Sequence, residues 1–494
     1  MSRQGRTEFL SPVRETLFQR DVMKFTKLLI AMSLFLGAAG MLTGCSDDDD
    51  DDDGLPGGGN PANVYDAAAG LADYSSLVAA IDKAGLASTL QSASANYTVF
   101  APDNDAFAAL LTAIGASSLD DVTAEQLTPI LLYHVLGTTV DAAAATAAAT
   151  AGDQVTGLGG TLQLGLDGSS IQIDGSAIVE AADAVVTDNG IIHGIDAVLL
   201  PSIADVVVSD ASFSNLATAL TVADGDASAP NYVGTLDDDA GDFTVFAPTD
   251  AAFGALVGAL SAGSTGISGL GDFASYQLIP VLNYHVIAGT RVLSTQVSDG
   301  EITTLGGTPA ASTSGGVSID GANVVTADLL TSNGVIHVID AVLVPSITDM
   351  VTTLPEFTQL FATVGAADGA AGTTPKVAET LDAAGTFTLF APSNTAFGNL
   401  GSAPSGQDLT NVLLYHVLAE AAPIYAADAL GLGSPTAFGT ALGSDANSQL
   451  TVSGGSGVTI ADAGTTTAAD VEVVNYFASN GVIHVVDKVL IPGS

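Results

Sequence analysis

Apolar residues form three near-identical runs along the chain, and turn residues bound each run. In the copy at 333–345, Asn333-Gly334 precedes a nearly unbroken aliphatic series that Pro345 closes. Such a series is typical of strands covered on both faces, and Asn-Gly can supply the left-handed positions of a tight turn. Each run therefore predicts a turn, a strand, a bend and a second strand. The other two copies lie at 189–201 and 480–492.

A second pattern predicts a strand that runs into a helix. An aromatic residue, threonine, an aliphatic residue, phenylalanine, alanine and proline follow one another at 97–102, 243–248 and 387–392. The next residue is Asp103, Thr249 or Ser393, and all three types are good helix N-caps. A phenylalanine four residues later should then face the core. These phenylalanines are Phe107, Phe253 and Phe397.

A third pattern, a tyrosine followed by histidine, predicts the end of a helix. Residues with helical apolar spacing, such as Leu127, Ile130 and Leu131, precede the first pair. Short segments of strand type follow each pair, and the Ala/Thr-rich stretch 142–151 predicts a small surface helix. The pairs are Tyr133-His134, Tyr284-His285 and Tyr415-His416.

The spacing of these patterns predicts three tandem domains. Pro102, Pro248 and Pro392 are 146 and 144 residues apart, far above the period of a solenoid, so each unit can bury its own core. Few residues separate the units, which predicts stacked domains with limited motion relative to one another. The predicted domains are 62–201, 202–345 and 346–494.

The amino-terminal residues predict a lipoprotein signal. A short basic segment from Met23 to Lys27 precedes an apolar stretch at 28–41, which is too short for a membrane span. Leu42-Thr43-Gly44-Cys45 then resembles a bacterial lipobox, whose cysteine is lipidated after cleavage. We interpret 1–44 as a signal peptide with an over-extended start, and 45–61, rich in Asp and Gly, as a solvated tether.

The charge of the chain excludes several partners. Six of the ten basic residues precede Cys45, leaving 4 basic and 51 acidic residues from there on. Nucleic acid is excluded, because phosphate binding needs clustered Lys and Arg. The lipid on Cys45 is therefore the predicted contact with the membrane. The aspartate run after Cys45 resembles the surface-export signals of some bacterial lipoproteins. We expect a cell-envelope protein on the outer membrane or cell surface, with a periplasm-facing orientation left open.

Together, the three recurring patterns resemble the fasciclin-like domain family. The apolar run and the strand-to-helix segment match the two boxes of that family, and the Tyr-His pairs match its tyrosine-histidine motif. The resemblance implies an α+β fold of three tandem domains, each a β-sandwich-like wedge packed with α-helices. It also implies a role in adhesion between cells, or between cells and a matrix. The third repeat departs from the others, since Pro392 and His416 are only 24 residues apart, against 32 and 37 in the first two.

The histidines allow a catalytic and a structural interpretation. All six lie in these patterns, two in each repeat. His134 with His193, or His193 with Asp196, would supply a base or metal ligands. We favour the structural interpretation, in which buried rings bond to backbone or to a tyrosine hydroxyl. The motif residues are Tyr133, His134, His193, Tyr284, His285, His337, Tyr415, His416 and His484.

No nucleophile and no third metal ligand recur in register, so the sequence predicts neither catalytic residues nor a cofactor nor a metal site. Weak calcium binding stays open at Asp174-Gly175, Asp320-Gly321 and the acidic run 237–239, although turn chemistry also explains the Asp-Gly pairs. The leading hypothesis is a non-enzymatic, lipid-anchored adhesion protein that binds a protein or glycan on another cell or matrix and contributes to biofilm. The alternatives are an envelope carbohydrate- or matrix-binding protein and, less favoured, an enzyme on the same scaffold.

The lipobox interpretation predicts that Cys45→Ser abolishes both lipid labelling and retention in the membrane fraction, since the cysteine thiol is the attachment point. Metabolic labelling with a fatty acid, followed by fractionation, measures both. A substitution of the neighbouring Ser46 to Ala should change neither. Full membrane retention of the Cys45→Ser protein would contradict the lipobox assignment.

Overall fold

Each repeat is built on one mixed seven-stranded sheet. In the first repeat the strands cross the sheet in the order β2-β1-β7-β6-β5-β4-β3, with β1 and β7 parallel and all other neighbours antiparallel. The strands are β1 (Tyr97–Pro102), β2 (Val135–Leu136), β3 (Gln154–Thr156), β4 (Thr161–Asp167), β5 (Ser170–Ile173), β6 (Ala177–Thr187) and β7 (Gly190–Ile195).

The second and third repeats have the same strand order. The second repeat contains β8 (Phe243–Pro248), β9 (Val286–Ala288), β10 (Gly300–Glu301), β11 (Ala310–Ser312), β12 (Ser318–Ile319), β13 (Ala322–Thr331) and β14 (Gly334–Ile339). The third repeat contains β15 (Phe387–Pro392), β16 (Val417–Ala419), β17 (Thr436–Gly439), β18 (Gln449–Ser453), β19 (Thr459–Ala461), β20 (Ala469–Ala478) and β21 (Gly481–Val486).

Most helices lie before the first strand of a repeat or between its first two strands. The first repeat has α1 (Val64–Ala69), α2 (Ser75–Lys83), α3 (Ala87–Leu90), α4 (Asn104–Ile114), α5 (Ala124–Tyr133) and α6 (Ala142–Ala151). The second has α7 (Ile203–Ser209), α8 (Ser214–Asp224), α9 (Tyr232–Leu236), α10 (Asp250–Ser261) and α11 (Ser275–Tyr284). The third has α12 (Ile347–Thr353), α13 (Thr358–Gly369), α14 (Val377–Leu381), α15 (Asn394–Gly398), α16 (Gln407–Tyr415) and α17 (Ala426–Leu430).

This description comes from a computed structural model that covers residues 62–493. Within that range, positions 169, 175–176, 227–229, 264, 371, 373, 384, 402–404 and 465–466, and the side chains of 177–183, are not described. The predicted signal peptide, Cys45 and the tether lie outside the described residues. In the described part no single helix has the length and apolarity to cross a membrane. One bent pair, Ile203–Ser209 with Ala211–Asp224, meets those criteria by length and composition alone.

The first strand of each repeat (β1, β8 or β15) separates two apolar cores. Successive side chains of a strand point to opposite faces. Val99 therefore packs in the core beneath the helices, whereas Phe100 packs in a second core with Leu164 and Ile173 from β4 and β5. Both faces are consequently buried along the whole of β1. This explains the unbroken apolar sequence and confirms the α+β, helix-packed architecture.

The predicted turn forms before β7, β14 and β21, but its asparagine has a role beyond the turn. Asn189, Asn333 and Asn480 do not occupy the left-handed region. Instead, the buried Asn333 side chain accepts from the Ile203 amide at 3.0 Å and donates to the Leu236 carbonyl at 2.7 Å. It thereby fixes the start of α7 and the end of α9 to the sheet. Asn189 makes the equivalent bonds to the Val64 amide and the Leu90 carbonyl. Asn480 makes them to the Ile347 amide and the Leu381 carbonyl.

The predicted second strand of each apolar run does not form. After β14, residues 341–345 are irregular, and the Leu343 amide donates to the ring of His285 at 2.9 Å. A buried backbone amide needs a partner, and an imidazole nitrogen replaces the carbonyl of a neighbouring strand. The equivalent amides in the other repeats are those of Leu199 and Leu490.

The predicted helix starts are confirmed. Asp103, Thr249 and Ser393 cap α4, α10 and α15, and each side chain accepts the amide of the residue three positions on. The stretch 142–151 is the helix α6. The short spacing in the third repeat also has a structural cause, because α15 has 5 residues where α4 has 11 and α10 has 12.

The same contacts join both pairs of neighbouring repeats. At the first junction Gln126 of α5 donates to the Ala327 and Asp328 carbonyls in β13 at 3.0 and 3.2 Å. Asp205 of α7 accepts the Thr161 amide at 2.9 Å. At the second junction Gln277 donates to the Asn475 carbonyl at 2.8 Å. The bond between a helix aspartate and a backbone amide is repeated there as well, since the Thr308 amide donates to Asp349 at 3.0 Å. Direct contacts of this kind fit the stacking predicted from the short connections.

We expect Asn333→Ala to destabilise the second repeat strongly. The change leaves the buried Ile203 amide and Leu236 carbonyl without their partners, at a cost of about 1–3 kcal/mol for each unsatisfied group. Urea unfolding measures the loss. Asn323→Ala, at an exposed position of β13, is the matched control and should stay near the wild type. Equal stability of the two variants would contradict the proposed role of Asn333.

Candidate functional site

The histidine of each Tyr-His pair closes the end of a helix. His134 follows α5, and its Nδ1 lies 2.7 Å from the Ile130 carbonyl. Its Nε2 accepts the Leu199 amide at 2.9 Å, so in the neutral ring Nδ1 carries the proton and donates. The same two bonds are made by His285 to Val281 and Leu343, and by His416 to Val412 and Leu490.

The histidine of each apolar run lies on the last strand of its repeat (β7, β14 or β21), which runs parallel to the first strand. It has the opposite tautomer. In β14, His337 Nδ1 accepts the Asp328 amide at 3.3 Å, so Nε2 donates to the Val292 carbonyl at 2.8 Å. The ring also stacks on Phe246 of the neighbouring strand. His484 repeats both bonds with Asn475 and Ile424.

The first repeat lacks one of these bonds. His193 Nε2 lies 2.9 Å from the Val140 carbonyl, but its buried Nδ1 has no hydrogen-bond partner among the described residues. In the other repeats the partner residue, Asp328 or Asn475, has a positive φ of 59° or 60°. The residue nine positions before His193 is Ala184, and alanine rarely adopts that conformation.

The tyrosine hydroxyls bond to groups other than the histidines. Tyr133 donates to Asp174 at 2.9 Å, and Tyr284 donates to Asp320 at 2.8 Å. Both aspartates have a positive φ, and each also accepts a backbone amide. Tyr415 instead donates to the Gln449 carbonyl at 2.6 Å. These contacts give Asp174 and Asp320 a turn-forming role.

Burial favours the neutral form of five of the six histidines. Removal from water lowers the pKa of His134, His285, His416 and His484 to about 4 each, since the charged ring loses its hydration. Burial lowers the pKa of His337 as well, although Asp328 partly opposes this. In these five rings, the nitrogens that bond to backbone are unavailable to a substrate. The described residues contain no cluster of three or more His, Cys, Asp or Glu with a metal-binding arrangement.

The comparisons with known proteins agree with this architecture. A fasciclin domain model matches three segments of the chain, at residues 72–201, 211–345 and 368–492. The chain belongs to the fasciclin domain family. This confirms the resemblance that the three sequence patterns indicated.

Relatives of the chain include bacterial and animal proteins. Protein sll1483 of Synechocystis is 37% identical over 146 residues, which are 29% of this chain and 73% of that protein. Human periostin is 26% identical over 80% of this chain, and pig transforming growth factor-beta-induced protein ig-h3 is 27% identical over 85% of it. The chain spans only 43% of periostin and 56% of ig-h3.

Among solved structures, the chain is similar to a FAS1 domain pair from the insect cell adhesion molecule fasciclin I. The identity is 20%, the TM-score is 0.26, and the match covers 54% of this chain and 92% of the solved one.

Several structurally important residues were missed at the sequence level. Gln126, Gln277, Asp205 and Asp349 make the junction bonds described above. Each is also the third residue of its helix, and its side chain accepts the amide of the N-cap residue. The capping signature was readable in the sequence, for example at Ser202 and Asp205. The second bond that each residue makes, to the adjacent repeat, has no local signature.

We expect His285→Ala to lower the stability of the second repeat by leaving the Val281 carbonyl and the Leu343 amide unsatisfied, at about 1–3 kcal/mol for each group. The effect depends on pH in a defined direction. The folded pKa of His285, about 4, lies below the ordinary value. The stabilisation is therefore complete above about pH 6.5 and is lost as the pH falls towards 4.

Urea unfolding of wild type and His285→Ala at several pH values measures this difference. The gap between the two proteins should narrow as the pH falls. His285→Gln, with an amide in place of the ring, tests whether hydrogen bonding or ring volume dominates. A gap that is constant between about pH 7 and about pH 4 would contradict a buried neutral histidine.

Proposed function

We propose that the chain is a non-enzymatic adhesion protein of the cell envelope, anchored by a lipid on Cys45 and binding through its three fasciclin domains. The ligand is a protein or glycan on another cell or in a matrix. The observation that carries the proposal is the tandem array of three domains of a family associated with adhesion. Periostin and ig-h3 match the chain across most of its length, which supports transfer of the general role to this chain.

The arrangement of the repeats supports multivalent binding. Hydrogen bonds at both junctions hold neighbouring repeats in contact, so several weak sites can engage one surface together. Surface elements differ between copies while the cores stay the same, since α15 has 5 residues where α10 has 12. We therefore propose that binding specificity resides in these variable surface elements.

The hydrogen bonds and the lowered pKa values of the buried histidines support a role without catalysis. The histidines that first suggested a base bond to backbone groups, and burial depresses the pKa of most of them. A general base needs access to its substrate and a pKa near the working pH. Neither condition holds for the rings of the Tyr-His pairs.

Attachment assays on bacterial strains test the proposal. A deletion strain should attach to surfaces and form biofilm less than the parent strain, and expression of the wild-type chain should restore both. A Cys45→Ser strain should export the protein but fail to restore attachment, because an unanchored adhesin does not hold the cell. A Ser46→Ala strain is the matched control.

The outcomes separate the parts of the proposal. Normal attachment by the deletion strain would contradict the adhesion role. Restored attachment by Cys45→Ser would contradict the lipid anchor while leaving adhesion in place. Glycan arrays probed with the chain lacking residues 1–45 then test for a carbohydrate ligand.

A further inference from the structure

At both junctions a glycine of one repeat makes room for the repeat that follows. The helix aspartates Asp205 and Asp349 lie directly against Gly160 and Gly307 of the preceding repeats, so a Cβ atom on either glycine would collide with the carboxylate. Each aspartate also accepts the amide of the residue after the glycine. The missing side chain is therefore what admits the next repeat.

The loop that contains this glycine is longer in the third repeat. Its glycine is Gly443, because the Thr440 amide donates to the Gly443 carbonyl as the Thr304 amide donates to that of Gly307. Residues 444–448, called the insertion below, then separate Gly443 from β18. In the first repeat, by contrast, β4 starts at the residue directly after the glycine.

The insertion covers the glycine of its own repeat. The nearest neighbour of a Cβ atom on Gly443 would be the Ser448 side chain at 3.3 Å, followed by the Asp445 carboxylate. Ser448 is buried, and its carbonyl accepts from the Thr440 hydroxyl at 2.8 Å. The Asp445 side chain accepts the Asn447 amide at 2.9 Å. The insertion is therefore a folded loop that lies where the aspartate of a following repeat would bind.

The insertion also replaces a second bond of the junction aspartate. Ser346 directly follows the proline that closes the second apolar run, and its amide donates to Asp349 at 3.0 Å. Gly493 has the same place after the third run, and its amide donates to the Asn447 carbonyl at 3.0 Å. The insertion thus takes up the amide that Asp349 takes up at the second junction.

The helix that makes the other junction bond differs as well. Gln126 and Gln277 each lie seven residues before the tyrosine of their Tyr-His pair, and each side-chain amide donates to a carbonyl of the next repeat. The third repeat has the exposed Asp408 at that position. An ionised carboxylate accepts hydrogen bonds but cannot donate one, so Asp408 cannot make this bond to a carbonyl.

The first repeat, in contrast, keeps the groups with which the other repeats meet a preceding one. Asp66 is the third residue of α1, as Asp205 is of α7, and it is exposed. Val186 lies at the sheet position of Leu330 and Phe477. Phe477 packs into the core of the second repeat. Both Leu330 and Phe477 are 6% exposed, against 52% for Val186.

We propose that the insertion and Asp408 close the third repeat to a second copy of this chain, whose first repeat would otherwise dock there through Asp66 and Val186. The stack of repeats thus has one open face and one closed face. Contacts between unlike faces of identical chains produce open-ended assemblies when the rotation does not close a ring. Stacked repeat proteins commonly stop such growth with an atypical capping repeat.

Removal of the closing groups tests the proposal in a chain that lacks residues 1–45, so that no lipid contributes to association. The open variant lacks residues 444–448 and carries Asp408→Gln. Sedimentation velocity in about 0.5 M NaCl, which screens the repulsion between acidic copies, measures the mass. The wild-type chain should stay monomeric. The weight-average mass of the open variant should rise at least about twofold between about 5 and about 200 μM, as for head-to-tail association in the micromolar range.

A change on the first repeat identifies the docking face. Val186→Asp, added to the open variant, should restore the monomer, because the interface would bury an unpaired charge. Val325→Asp, at a valine of the second repeat that is 56% exposed, is the matched control. It should leave the association of the open variant unchanged.

A converse variant tests the same device inside the chain, whether or not the open variant folds. The sequence of the insertion, placed between Gly307 and Thr308, should push the third repeat away from the second. Protection from amide exchange should then fall about tenfold or more at Ser479, whose amide crosses that junction. Phe246, bonded within the second repeat, should stay protected. A folded but monomeric open variant, wild-type association that Val186→Asp abolishes, or full protection of Ser479 in the converse variant would each overturn the proposal.

Discussion

The fold of each repeat depends on the close contact between its two parallel strands. A Cβ atom on Gly190 would lie 2.3 Å from the Tyr97 carbonyl oxygen, and one on Gly334 would lie equally close to the Phe243 carbonyl oxygen. No side chain fits at that distance, so the strand must begin with glycine. The asparagine before it then ties two helix ends to the same point of the sheet. The Asn-Gly pair therefore belongs to the predicted turn and is also a packing requirement.

The histidines brace the irregular segments around these strands. His285 holds the segment after β14 against the end of α11, and His337 holds the loop at Val292 against β14 itself. Irregular backbone inside a protein leaves amides and carbonyls without regular partners. An imidazole presents one donor and one acceptor at fixed positions, so it can satisfy one of each. This accounts for five of the six histidines, whereas His193 makes only the bond to Val140 among the described residues.

The sequence was most informative where the determinants are local. Helix starts at Asp103, Thr249 and Ser393 follow from capping chemistry, and the buried strands follow from unbroken apolar residues. It was less informative where a side chain bonds to a distant part of the chain. Asn333 bonds to a residue 130 positions away, and Gln126 to one 201 positions away. Such bonds exist only once the chain has folded.

Because the hydrogen bonds of these asparagines and histidines recur in the repeats, they also indicate where functional differences between the repeats can arise. A core in which an asparagine, a glycine and two histidines are fixed by geometry tolerates little variation, because each change leaves buried groups unsatisfied. The helix after the first strand of each repeat is under no such constraint, and its length ranges from 5 to 12 residues. The acidic run that follows α9 but not α14 is a second difference. Differences between the repeats therefore occur at surfaces and at the junctions between repeats, where they can distinguish binding partners without loss of the fold.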